Sequence, residues 1–217
     1  MTGFRGDLFD PFTLTVFAAL FLMSFTVLSV FFFKLLQFSR LGVGKRSMAE
    51  KIIDTWLSGQ AEAAMQQAAA RQSVLSRVLH AVFTGLQARP GETAYAEELG
   101  RQTAIAELAT LSDRMRALEL AVQAAPMLGL LGTVIGMIDA FSVLAQSQAT
   151  ADPAALAAGI WTALTTTAAG LAIALVAYFL ANWLDARIER ERNLIEVLVS
   201  AALHGRVGQT ASAQART

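Results

Sequence analysis

Residues 125–136 read Ala125-Pro126-Met127-Leu128-Gly129-Leu130-Leu131-Gly132-Thr133-Val134-Ile135-Gly136. They lie inside a longer stretch, Leu120 to Ile138, that carries no charge. Two other stretches share this property, Pro11 to Phe33 and Pro153 to Leu184. An apolar run of at least about 18 residues is long enough to cross a bilayer. Three transmembrane helices are therefore expected, at 12–36, 120–144 and 156–184. The fold class that follows is an all-α membrane protein.

Composition agrees. The 217 residues are 55% hydrophobic and 16% charged, against about 45–50% and about 25% in soluble domains. The 17 Lys+Arg balance the 17 Asp+Glu, so the formal net charge is zero. That excludes the basic bias of a nucleic-acid binder. With zero cysteines, disulfide scaffolds, thiolate catalysis and Cys-based metal sites are excluded. The two histidines, His80 and His204, leave little for metal or acid–base chemistry. The first apolar run is expected to be a retained anchor rather than a cleaved signal peptide. Asp7 and Asp10 accompany Arg5 before it, no small-x-small cleavage site ends it, and Lys34 follows Phe31-Phe32-Phe33.

The cations set an orientation. Residues 1–33 contain only Arg5, residues 34–116 contain eleven Lys and Arg, residues 117–186 none, and residues 187–217 five. By the positive-inside rule, segments 37–119 and 185–217 are expected in the cytoplasm. Segments 1–11 and 145–155 are expected outside.

The cytoplasmic segment is rich in Ala, Gln, Leu and Arg, which favour helix. Gly42-Val43-Gly44 and Ser58-Gly59 punctuate it, and Arg89-Pro90-Gly91 reads as a helix–helix turn. Glu92, Glu97 and Glu98 follow in the first turns of a new helix, where negative charge suits the dipole. Ala104, Leu108, Leu111, Met115, Leu118 and Val122 form a heptad-like seam with no obvious stop before the membrane. The spacing predicts one helix from Glu92 to Leu144, about 80 Å long. The third span likewise runs on into Asp185, Arg187, Glu189, Arg190, Glu191 and Arg192. Leu184, Ile188, Ile195, Leu198 and Ala202 make a stripe on that extension. Two of the three membrane helices are thus expected to extend into a cytoplasmic helical bundle. Gln209–Thr217 reads as a disordered tail.

Within the spans, small residues recur at helical spacing. Gly129, Thr133, Gly136 and Ala140 share one face of the second span. Gly159, Ala163, Thr167, Gly170, Ala174, Ala177 and Ala181 share one face of the third. In lipid, small residues let helices approach closely. Gly129, Gly132, Gly136, Gly159 and Gly170, with Pro126 as a bend near the inner boundary, are therefore candidates for helix packing. Thr162, Thr165, Thr166 and Thr167 cluster in the third span. A membrane threonine commonly bonds its own i−4 carbonyl, and Thr165 is read that way. Thr133 lies about 20 Å, and Thr167 about 26 Å, from the cytoplasmic end of its span. Thr133, Thr162, Thr166 and Thr167 are the candidate pore-lining residues. Asp139 is the only acid in the spans. It lies about 29 Å along its helix and is read as a solvated acid at the outer boundary. Apart from Lys34 near the end of the first, the spans hold no His, Lys, Arg or Glu. If protons cross here, a partner chain must supply the carboxylate that carries them.

These residues resemble the ExbB/TolQ/MotA family of proton-channel subunits. The matching blocks are Ala-Pro-x-x-Gly-Leu-x-Gly-Thr-Val-x-Gly at 125–136 with Ala140-Phe141, and Gly159-Ile160, Ala163-Leu164, Thr167-Ala168 and Gly170-Leu171. Three spans with a cytoplasmic insert after the first resemble ExbB and TolQ more than four-span flagellar stators. The resemblance implies an inner-membrane homopentamer around a dimer of a single-span ExbD/TolR-like partner whose membrane Asp carries the proton. It implies cavity-lining roles for Thr133 and Thr167, and delivery of work to the outer membrane through a TonB- or TolA-like transducer. Asn182 matches relatives. Thr162 stands where many relatives have Glu, and Val176 where Pro is common. No enzyme activity and no cofactor other than the driving protons are expected. The alternative from the residues alone is a structural oligomeric membrane scaffold without ion conduction. An intramembrane enzyme or secondary transporter is disfavoured, because the spans lack His, paired acids and internal repeats.

Overall fold

The computed structural model describes residues 11–146 and 153–205. The expected outer N-terminus, most of the 145–155 loop and the C-terminal tail lie outside the described residues. Among those described, every regular element is a helix. In chain order these are α1 (Pro11–Arg40), α2 (Arg46–Leu57), α3 (Ala61–Ala69), α4 (Val74–Ala88), α5 (Thr93–Ser112), α6 (Met115–Gln146) and α7 (Pro153–His204). Three of them are long and apolar enough to cross a membrane, within Thr13–Arg40, Met115–Ser142 and Leu156–His204. In the last, charges begin at Asp185, so its apolar part ends at Leu184.

The chain divides into two compact units. One comprises residues up to Phe33 together with Arg114–Asn182. Its surface would not survive in water. Phe21 is 75% exposed, Trp161 75% and Met127 71%, with Leu22, Phe25, Leu130, Ile138 and Phe179 also open. Exposed apolar surface on this scale marks contact with lipid or with other chains. Beyond Met115 and Leu118 at the start of α6, the buried apolar side chains of α6 and α7 in this unit are small (Ala121, Ala125, Ala140, Ala163, Ala174, Ala177), and those of α1 are larger (Val16, Leu20, Val27).

The other unit comprises Lys34–Asp113 and the chain from Trp183. Its core is conventional. Ile52, Ile53, Val74, Leu75, Val78, Leu79, Val82, Phe83 and Leu111 are buried, and Trp56 stacks on Phe83 with ring centroids 4.1 Å apart. Ser73 caps α4 by accepting the Ser76 N–H. Arg77 pairs with Glu107 at 2.6 Å. Helices α4 and α5 approach closely where side chains are missing. A Cβ on Gly85 would lie 2.6 Å from Ala96 Cα, and one on Gly100 would lie 2.5 Å from Val82 Cγ2. On α7 the expected stripe of Leu184, Ile188, Ile195, Leu198 and Ala202 is buried. Glu191, also buried, fills the remaining position of that stripe.

The single helix expected from Glu92 to Leu144 is not formed. The chain turns at Asp113 and Arg114, with Arg114 at φ 65°, a conformation uncommon for a residue with a Cβ. The ending of α5 leaves carbonyls without helical donors. Side chains of α1 supply them. Lys34 Nζ donates to Leu111 O at 2.8 Å, and Gln37 Nε2 donates to Thr110 O at 3.1 Å. Lys34, fully buried, also donates to Gln37 Oε1 at 3.0 Å. A cation near a helix C-terminus is favoured by the dipole as well. Within the membrane unit, the Arg114 guanidinium sits over the Phe33 ring, 4.1 Å from its centroid.

Candidate functional site: the seam between α6 and α7

The two helices meet along residues that barely have side chains. Going up α6, the contacts step down α7, so the pair is antiparallel. A Cβ on Gly129 would lie 3.0 Å from Thr166 O and Thr167 Cα; one on Gly132 would collide with Thr166 Oγ1. One on Gly136 would lie 3.0 Å from Ala163 Cβ, and one on Gly159 2.6 Å from Ala140 Cβ. Gly170 packs backbone to backbone, with its Cβ position 2.5 Å from Ala125 O and 3.0 Å from Gly129 Cα. Such spacing gains dispersion contacts that lipid tails cannot match.

The buried face keeps Gly129, Gly136 and Ala140 on α6 and Ala163, Gly170, Ala174 and Ala177 on α7 as expected, and differs at one level. Gly132, not Thr133, is the buried α6 residue at this level, and Thr166, not Thr167, is its counterpart on α7. One residue is about 100° of helix. The absent side chain of Gly132 is what admits the Thr166 side chain.

The threonine hydroxyls divide accordingly. Thr166 is fully buried. Its Oγ1 lies 2.6 Å from Ala163 O and 3.3 Å from Gly129 O. It is packed between helices and has no surface with which to line a cavity. Thr167, half-buried, donates across the seam to Gly129 O at 3.0 Å. Thr133 is half-buried and donates to Leu130 O at 2.6 Å. Val134, Met137, Ile138 and Phe141 share an apolar depression with it. Thr162 donates to Ala158 O at 3.0 Å and Thr165 to Trp161 O at 2.8 Å, the i−4 pattern expected of Thr165.

Pro126 lies inside α6, which continues through it. Asp139 is half-buried, and its Oδ2 is covered within this chain. Asn182 donates to Tyr178 O at 3.0 Å. Among the described residues, no group of three or more His, Asp or Glu is placed to hold a metal ion. Two features were missed from sequence: the Thr166–Gly129 bond and the buried Glu191. The heptad spacing of the α7 stripe is the signal that reaches Glu191.

The pattern of the MotA/TolQ/ExbB proton channel family matches residues 46–197. A protein of Methanothermobacter thermautotrophicus, named as a homolog of the biopolymer transport protein ExbB, is 38% identical over 102 residues. Those residues are 47% of this chain and 36% of that protein. The biopolymer transport protein exbB1 of Vibrio cholerae is 39% identical over 98 residues, 42% of this chain and 43% of that protein. The chain thus matches less than half the length of either relative. The family pattern covers most of the chain and includes the whole seam, so the chain belongs to the MotA/TolQ/ExbB proton channel family.

Proposed function

We propose that this chain is the ExbB/TolQ-like subunit of an inner-membrane motor that turns proton motive force into mechanical work for outer-membrane import or envelope maintenance. Its N-terminus would be periplasmic, and the segments 37–119 and 185–217 cytoplasmic, as the cation distribution favours. It would assemble as a homopentamer around a dimer of an ExbD/TolR-like single-span partner and work through a TonB- or TolA-like transducer. A proton crossing the membrane supplies about 2.3 kcal/mol per 100 mV.

The observation that carries this reading is the chemistry of the seam. Apart from Lys34 near the end of the first span, the spans contain hydroxyls and one acid, Asp139, but no His, Arg or Glu. Such a chain can solvate a moving proton but offers little to hold one, so the carrier carboxylate belongs to the partner. Thr133, Thr162 and Thr167 keep accessible surface and line the path in this proposal; Thr166 backs them from inside the seam. Pro126 and the seam glycines set the helix spacing.

The test is Thr133→Val and Thr167→Val in the assembled complex, singly and together. Each keeps the shape and removes the hydroxyl. Assembly should persist while proton-driven transport falls. Transport at wild-type rate in the double variant would refute the threonine path. An assembled complex that conducts no protons with its partner present would favour the scaffold reading.

A further inference from the structure

Glu191 is a buried acid that the proton path does not use. It lies on α7 between Ile188 and Ile195 in the apolar stripe, 1% exposed. Its Oε2 accepts the Gly44 N–H at 2.9 Å. Among the described residues its Oε1 has neither solvent nor a donor. Gly44 closes the Gly42–Lys45 turn that joins α1 to α2. Its φ of 87° suits glycine, and a Cβ there would lie 3.2 Å from Arg187 Nη1. The acid and the turn therefore meet at a point where no larger residue fits comfortably.

The charged surroundings are sparse. On α7, Arg187 precedes Glu191 by about one turn. Its guanidinium favours the ionised carboxyl, and it also lies 5.1 Å from the Trp183 ring centroid. On the turn, Lys45 lays its aliphatic chain near Gly42, at 3.7 Å from a Cβ there. The residue against the turn from the α4 end is its cap, Ser73, which is uncharged. Burial outweighs these groups. Loss of solvent pushes the Glu191 carboxyl above the usual carboxylate range, while the Gly44 N–H and Arg187 pull it back.

We propose that Glu191 and Gly44 form a pH-responsive latch, in which the neutral carboxyl holds the α1–α2 turn against α7 and the ionised carboxyl loosens it. In the neutral form the proton sits on Oε1, and Oε2, as the carbonyl oxygen, accepts the Gly44 N–H. In the ionised form Oε1 becomes a charged oxygen without a donor. Water can reach it only if the turn lifts. The sign follows from linkage. The folded carboxyl holds its proton to higher pH than an unfolded one. Its stabilising contribution is therefore whole below the ordinary carboxylate range and is lost as pH rises through the raised value. The latch depends on none of the threonine assignments.

The experiment is hydrogen exchange at the Gly42–Lys45 turn in the full-length chain, assembled in lipid nanodiscs. Wild type and Glu191→Gln are compared at each pH, so that intrinsic exchange rates cancel. The amide keeps an acceptor for Gly44 and cannot ionise. The ratio of wild-type to variant exchange should rise with pH, by up to about tenfold per pH unit once the carboxyl titrates. A ratio that does not change with pH overturns the latch. Should Glu191→Gln fail to assemble, carboxyl NMR of Glu-labelled wild type decides. The Glu carboxyl in dipolar contact with the Gly44 nitrogen should titrate above all others. Titration together with them overturns the proposal.

Discussion

The two units of this chain cohere by opposite means. In the membrane unit, α6 and α7 touch through what is missing: Gly129 and Gly170 bring backbone against backbone, and Gly132, Gly136 and Gly159 make room for small side chains of the facing helix. In the other unit, large side chains fill the core, and a few buried polar groups finish the ends of helices. Phe83 lies under Trp56, and Lys34 completes α5. The solvent explains the difference. Burying a large apolar side chain is rewarded where the alternative is water. It gains little where the alternative is lipid, so membrane helices depend on closeness and on bonds such as Thr167 to Gly129 O.

This contrast can be broken by substitution, with stability read from thermal denaturation of the purified complex. Phe83→Ala should have the largest effect, about 3–5 kcal/mol, because it empties a buried aromatic site in a water-facing core. Lys34→Met should follow, at about 1.5–3 kcal/mol, through the charge-assisted bonds lost at Leu111 O and Gln37. It should also raise hydrogen exchange near residues 110–114. Gly170→Ala comes next, at about 1–3 kcal/mol, because backbone atoms stand where its Cβ would go. In an exposed helix the same change would stabilise by about 1 kcal/mol, so a stabilised Gly170→Ala would sink the account of the seam. Gly132→Ala should cost a similar amount, because the new Cβ would lie 2.7 Å from Cβ of the fully buried Thr166, a stiff β-branched side chain. Pairing it with Thr166→Ala should recover part of the loss, because the Cβ of residue 166 stays 2.7 Å from the new one, whereas no side-chain change should rescue Gly170→Ala.

The same contrast explains what could be read in advance. The spans were legible because a bilayer demands long charge-free runs, and these are visible residue by residue. The buried stripe on the far part of α7 was legible by its heptad spacing. Glu191 was not, because it sits among Glu189, Arg190 and Arg192 and its charge outweighed its position. The turn at Asp113 and Arg114 has no Gly or Pro to announce it. The groups that complete it, Lys34 and Gln37, lie more than 70 residues away in the chain. In the seam, Thr165, Thr166 and Thr167 are consecutive, and small-residue spacing fits more than one phase. Only the gap left by Gly132 selects Thr166 as the buried one.

The direction of the threonine bonds has its own consequence. Thr133, Thr162 and Thr167 each give their hydroxyl hydrogen to a backbone carbonyl. A carbonyl cannot donate, so the hydrogen must come from the threonine. What these residues have left to offer is oxygen lone pairs. Their outward surface is therefore electron-rich though formally neutral. If these threonines line the proposed path, that surface would welcome hydronium, or a water that donates, and repel anions: valence selectivity without a fixed charge.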